Sequence, residues 1–180
     1  MNITQTHIEG LLILQPKVIN DGRGHFFESY RKDITTAAGI TGEFVQHNQS
    51  LSQKGVLRGL HLQQPPFAQG KLVRVIKGAV LDIAVDIRKN SATYGQSYAI
   101  ELNEQNNTLF WVPEGFAHGF HTLEDNTIFT YLCTNYYNKA AEAGIMWNDP
   151  DLAIQWGITD PVLSEKDKQL PRFKDFVSPF

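Results

Sequence analysis

The residues best able to do chemistry lie in Val56-Leu57-Arg58-Gly59-Leu60-His61-Leu62-Gln63, with Lys71 following ten positions after His61. An imidazole, a guanidinium and an ammonium are brought together there, beside a segment that reads as paired β-strands. An imidazole titrates near neutral pH, so His61 can take a proton without a large pKa shift, and cations close by stabilise the negative charge that develops. Proton abstraction next to a carbonyl on an anionic ligand is the chemistry that suits this set. Such a base also needs a carboxylate to hold its second nitrogen, and Asp82, on the polar face of its strand, is one candidate.

The elements that must position these groups are strands. From Val80 to Arg88 the set Leu81, Ile83, Val85 and Ile87 alternates with Asp82, Ala84, Asp86 and Arg88, which gives one apolar and one mostly polar face. A second β-rich run spans Lys71 to Lys77, and Gly78-Ala79 between the two runs reads as a tight hairpin. Further strands are expected at Leu11–Leu14, His25–Tyr30, Phe44–Leu51, Ser97–Leu102, Thr108–Val112, Gly119–Leu123 and Thr127–Thr134. Short strands at this frequency, separated by Gly, Pro, Asn and Asp turns, predict a closed or two-sheet antiparallel barrel. Helical signals sit at the edges: Lys32 to Ala38, and a segment opening at Ser164-Glu165-Lys166-Asp167 after Pro161.

Composition removes several classes. With 180 residues, one domain over residues 1–180 is expected, since two would each fall near the lower size limit. Sixteen Lys+Arg against nineteen Asp+Glu give a net charge of −3, so nucleic acid and anionic membrane are not expected partners. The single Cys133 excludes an intrachain disulfide and reads as a small buried strand residue. The N-terminus lacks a secretory pattern and no apolar run reaches the roughly 18 residues of a membrane span, so a cytoplasmic setting is expected.

Several blocks taken together resemble one family. They are Asp21-Gly-Arg-Gly-His-Phe-Phe-Glu-Ser-Tyr30, Gln46-His-Asn48, Val56-Leu-Arg-Gly-Leu-His61, Gln69-Gly-Lys-Leu-Val-Arg74, Trp111-Val-Pro-Glu-Gly-Phe-Ala-His-Gly-Phe120, Thr134-Asn-Tyr-Tyr137 and Leu163-Ser-Glu-Lys-Asp167. In this order and spacing the chain is similar to the sugar-nucleotide 3,5-epimerases of the rhamnose pathway, which act on dTDP-4-dehydro-6-deoxyglucose in a cupin-type jelly roll. The resemblance implies a mainly β barrel, a dTDP-sugar substrate, no cofactor and a homodimer whose N-terminal strands pack across the interface. The Leu11–Leu14 run would suit that burial, or would finish its own sheet.

Roles follow from the same resemblance. His61 would be the base, Asp167 its carboxylate partner, Tyr131 the proton donor on the opposite face, and Lys71 the group that stabilises the enolate oxygen. Ser164-x-x-Asp167 also fits a helix capping pattern, so Asp167 and Asp82 both stand as partners of His61. Arg58 and Arg23 would bind pyrophosphate or base, Glu28, Gln46 and Asn48 would surround the thymidine, and Tyr137 would stack on the thymine. His118, Glu142 and Lys166 would make further contacts. His47 departs from the family, in which an aspartate is usual there.

Two other classes compete. Pro113-Glu-Gly-Phe-Ala-His118 fits half of a metal-cupin signature, with His61, His118 and His121 as possible ligands, yet Gln63 stands where a His-x-His pair would be completed. A non-catalytic carbohydrate-binding cupin would keep Arg58 and Tyr137 without needing His61, Lys71 and Tyr131 together. Enzymes that invert only carbon 3 or only carbon 5 share the same base and donor types.

Overall fold

A computed structural model describes residues 1–180. It contains β1 (Asn2–Gln5), β2 (Leu12–Gln15), β3 (Ile19–Asp21), β4 (Gly24–Phe26), α1 (Lys32–Ala37), β5 (Gln46–Ser52), β6 (Leu57–Gln63), β7 (Lys71–Lys77), β8 (Ala79–Asp86), β9 (Ser97–Asn103), β10 (Leu109–Val112), β11 (Phe116–Thr122), β12 (Thr127–Cys133) and β13 (Glu142–Gly144). A six-stranded sheet in the order β1-β2-β10-β7-β12-β5 faces a five-stranded one, β13-β6-β11-β8-β9, and the β3–β4 hairpin stands apart. Two antiparallel sheets interleaved in this order make a jelly roll. No helix is long and apolar enough to cross a membrane.

Alternation explains the layers. On β7, β10 and β12 the residues Val73, Val75, Phe110, Val112 and Phe129 point into the barrel, where they meet Val80, Ala84, Phe116 and Phe120 of the smaller sheet. The intervening residues Leu72, Leu109 and Trp111 pack outside with Ile40, just past α1. The outer face of the smaller sheet, with Leu57, Ile83, Val85 and Ile87, is covered by Ile145, Leu152 and Trp156 of the C-terminal segment. The polar face of β8 is therefore an interior wall, and Asp82, Ala84 and Asp86 are all fully buried.

Three expectations are corrected. Gly78-Ala79 does not close a hairpin: β7 pairs with β10 and β12, β8 pairs with β9 and β11, and the turn carries the chain from one sheet to the other. Gly78 has φ +78°, and a Cβ there would lie 2.3 Å from Thr127 Oγ1, so the crossover needs glycine. The segment opening at Ser164 forms no α-helix, only a 3-10 turn, Asp167–Gln169, with a second at Phe173–Asp175. Of His25–Tyr30 only the start is strand, and β1 and β3 were not expected. Leu11 and Leu14 are fully buried within the chain, and β2 lies between β1 and β10, so this run finishes its own sheet.

Candidate active site

In a regular strand Arg58 and His61, three residues apart, would point to opposite faces. Here both line one cavity, because β6 is irregular between them: His118 pairs with His61, but Phe120 pairs with Arg58. An extra residue in one strand re-aims the side chains beyond it. Gly59 adopts φ +140° at this point, and a Cβ on it would sit 2.5 Å from the Gly119 Cα of β11. The Gly-Leu of the sequence signature is thus what turns the guanidinium and the imidazole toward the same space.

His61 Nε2 lies 2.5 Å from Asp167 Oδ1. Asp167 is 4 % exposed and His61 30 %, so the acid is hidden while the imidazole remains reachable. With Asp167 accepting the Nε2 hydrogen, the free lone pair sits on Nδ1. Burial pushes the Asp167 carboxyl up, but the hydrogen bond and charge of His61, the Ser164 hydroxyl and the Lys166 charge outweigh it and hold the group below the usual carboxylate range. Asp167 N–H donates to Ser164 Oγ at 3.1 Å, so the capping pattern and the histidine pairing coexist and the cap fixes the acid. Asp82 instead accepts from His118 Nε2 at 2.8 Å, deep in the wall, and its Oδ2 has no partner.

Lys71 opens β7, and burial pushes its ammonium below the usual range against the pull of Cys133, Asp82 and Glu142. Tyr131 points inward from β12. Burial, with a smaller contribution from Cys133, raises its phenol above the ordinary value, although Asn48 and the Arg58 charge pull the other way. The phenol is accordingly kept protonated at neutral pH, as a proton donor must be.

These groups sit where two lobes of a cleft meet. A cavity of about 490 Å³ is lined by Arg58, His61, Lys71, His118, Tyr131, Lys166 and Asp167 among others. A second, of about 780 Å³, shares His61, Lys71 and Tyr131 and adds Gln46, His47, Asn48, Tyr137 and Glu142. In the second lobe the Tyr137 hydroxyl donates to Glu142 Oε2 at 2.9 Å, and Lys166 forms an ion pair with Glu142. Burial raises the Glu142 carboxyl, but Lys166 and Tyr137 together hold it below the usual range. Gln46 Nε2 donates to Asn48 Oδ1 at 3.0 Å, and the unusual His47 reaches Thr130 Oγ1 at 2.5 Å.

Arg23 and Glu28 line neither lobe. Arg23 lies in the β3–β4 turn, paired with Asp21, and Glu28 lies beyond the hairpin within 3.8 Å of Arg31. Sequence reasoning missed Ser50 and Phe129, which also line the first lobe; Ser50 Oγ is buried without a partner. Their signal was the inward parity of β5 and β12. The three histidines of the metal reading do not converge, since His121 Nδ1 donates to the Trp156 carbonyl at 3.0 Å on the outer face, and no three His, Cys, Asp or Glu side chains are grouped to hold a metal ion.

The family model described as dTDP-4-dehydrorhamnose 3,5-epimerase matches residues 5–175. A dTDP-4-dehydrorhamnose 3,5-epimerase of Shigella flexneri is 48% identical over 176 residues, covering 97% of each chain. The crystal structure of the enzyme of that name from Elizabethkingia anophelis NUHP1 superposes with a TM-score of 0.93 at 47% identity, covering 97% of both chains. The dTDP-6-deoxy-D-glucose-3,5-epimerase of Legionella pneumophila Philadelphia 1, solved in complex with dTDP-4-keto-L-rhamnose, gives 0.91 at 47% identity over 96% of this chain and 93% of that one. With a family model matching residues 5–175 and relatives 47–48% identical over nearly the whole chain, the chain belongs to the dTDP-4-dehydrorhamnose 3,5-epimerase family.

Proposed function

We propose that this protein inverts carbons 3 and 5 of dTDP-4-dehydro-6-deoxy-D-glucose, giving dTDP-4-dehydro-L-rhamnose for dTDP-L-rhamnose synthesis. The observation that carries this reading is the meeting of His61–Asp167, Lys71 and Tyr131 at the junction of two lobes. Hydrogens on carbons 3 and 5 are acidic only because both flank the C4 ketone. In this reading His61 Nδ1 takes each proton in turn, Lys71 faces the enolate oxygen, and Tyr131 returns a proton from the opposite face. The ketone is itself the electron sink, so no cofactor is required. Arg58 serves the diphosphate and Tyr137 stacks on the thymine, with Gln46, Asn48, His118, Glu142 and Lys166 completing the contacts.

The working unit in this reading is a cytoplasmic homodimer of single-domain chains. Arg23 and Glu28 stand outside the cleft of their own chain, and the hairpin carries exposed Ile19 and Phe26, a pair that a second copy would cover while receiving Arg23. Sedimentation near twice 20.3 kDa is the expected result; a monomer at micromolar concentration removes the dimer.

Incubation with the substrate in D2O, read by NMR, tests the chemistry. The protein should place deuterium at both carbons and invert both; inversion at one carbon alone would make it a single-site epimerase. In Tyr131→Phe, exchange should outlast inversion, with product formation down by roughly 10²–10⁴ as for loss of a general acid. Equal loss of exchange and inversion would overturn the two-face assignment.

A further inference from the structure

The turn that carries Tyr136 and Tyr137 leaves β12 and has no strand partner for its backbone, yet the N–H groups of Tyr136, Tyr137 and Asn138 all find acceptors. Tyr136 N–H donates to Asn135 Oδ1 at 2.8 Å, Tyr137 N–H to Gln46 Oε1 at 2.9 Å, and Asn138 N–H to Gln63 Oε1 at 2.9 Å. Gln69 Nε2 donates to the Asn135 carbonyl at 2.7 Å, and Asn135 Nδ2 ties the turn to the Pro66 carbonyl at 3.1 Å. Side-chain amides from three separate segments thus take the place of a β-ladder. The two residues nonetheless remain 62% and 53% exposed, so apart from the Tyr137 hydroxyl's bond to Glu142 what is fixed is the backbone, and what is presented is aromatic surface.

Gln63 is 6% exposed and follows His61 by two residues on β6, while Gln69 precedes Lys71 by two. Both lie in the wall of the second lobe. A buried glutamine whose carbonyl is spent on a neighbouring turn costs an apolar position in the barrel wall, so some gain must accompany it.

We propose that Gln63 and Gln69 are positioning residues for the nucleotide end of the substrate: they preset the Tyr136–Asn138 turn, so that Tyr137 meets the thymine already ordered. An aromatic group held in its binding pose loses little freedom when the base arrives, and affinity rises by that saving. The inference rests on the reading of Tyr137 given above. It also gives Gln63, the residue that interrupts the metal-cupin pattern, a task of its own.

The test is a double-mutant cycle with dTDP as ligand, followed by calorimetry, alongside steady-state kinetics. Tyr137→Ala should raise the Kd for dTDP by about 5- to 150-fold, as for loss of one base–aromatic stack. Gln63→Met and Gln69→Met should each raise Kd and KM by about five- to tenfold and leave kcat within about twofold. In the Tyr137→Ala background neither should change Kd further, because the ring they position is gone. A merely structural role predicts the same added loss in both backgrounds, and that result overturns the proposal. Wild-type Kd in both Met variants, with Tyr137→Ala weakened, overturns it also while sparing the assignment of Tyr137. Should Tyr137→Ala bind like the wild type, the Tyr137 assignment fails and this inference with it. If Gln63→Met does not fold, Gln69→Met carries the same cycle from a less buried position.

Discussion

Two histidine–aspartate pairs stand across from each other on β6 and β11, and they use the same chemistry to different ends. His61 and His118 are opposed in the β-ladder, each with Nε2 on a carboxylate, at 2.5 and 2.8 Å. The carboxylate of His118 comes from β8, the next strand, and both partners are buried. That of His61 comes from the C-terminal segment, and its imidazole keeps a third of its surface open to the cleft. A pair enclosed by its own sheet is held fixed at the cavity wall, whereas one closed from outside can expose a lone pair. Accessibility, not pairing, is what sets the two imidazoles apart.

That contrast can be broken experimentally. The largest effect is expected for His61→Asn: exchange and epimerisation both fall by about 10² or more, while dTDP affinity stays near wild type, since general base catalysis is worth that much and the nucleotide is held elsewhere. Comparable turnover in the mutant, or an equal loss in His118→Asn with exchange abolished, would erase the distinction. Asp167→Asn is expected to lower kcat by about 10- to 10²-fold with the fold intact, in the range for removing a carboxylate that orients a working imidazole. A drop confined to the melting temperature would instead reduce Asp167 to its cap with Ser164.

Asp82→Ala should act the other way round, destabilising by about 1–3 kcal/mol as a buried acceptor is lost, with denaturant titration as the measurement. The smallest effect belongs to Asp86, on the same row of β8 but outside the cleft. Arg88, Ser91 and Thr93 outweigh its desolvation and hold its pKa at about 2. A depressed carboxylate stabilises the fold above its unfolded pKa, near 4, and that contribution is lost as pH falls through about 2. Asp86→Asn should therefore cost about 1–2 kcal/mol at neutral pH, after allowance for screening, and nothing below pH 2. Activity per folded molecule should not change.

The sequence was most legible where period-two alternation and burial coincide, as in β7, whose observed bounds match the expected run from Lys71 to Lys77. Crossovers were not legible: a glycine turn between two β-rich runs reads the same whether the second strand pairs with the first or leaves for the opposite sheet, as at Gly78. Alternation also misplaces Arg58 against His61, because a bulge is a property of two strands together. The partner of His61 stood between Asp82 and Asp167 for a related reason, since strand parity places Asp82 inside without saying which of two opposed imidazoles it meets. Arg23 and Glu28 belong to a motif block, but a motif carries no distances, and the fold sets both outside the cleft.

The late arrival of Asp167 has a consequence for the life of the chain. Synthesis runs from N- to C-terminus and domains gather structure as they emerge. By Gly144 every ladder strand of both sheets exists, including His61, Lys71 and Tyr131, but the acid lies 106 residues beyond its imidazole and reaches it only with the segment that closes over Leu60 and Val85. A nascent barrel therefore holds its imidazole without the acid that orients it, and the pair is completed only when this segment docks. The C-terminal segment thus does more than cover an apolar face: without it, His61 would stand in the cleft with no carboxylate on its Nε2.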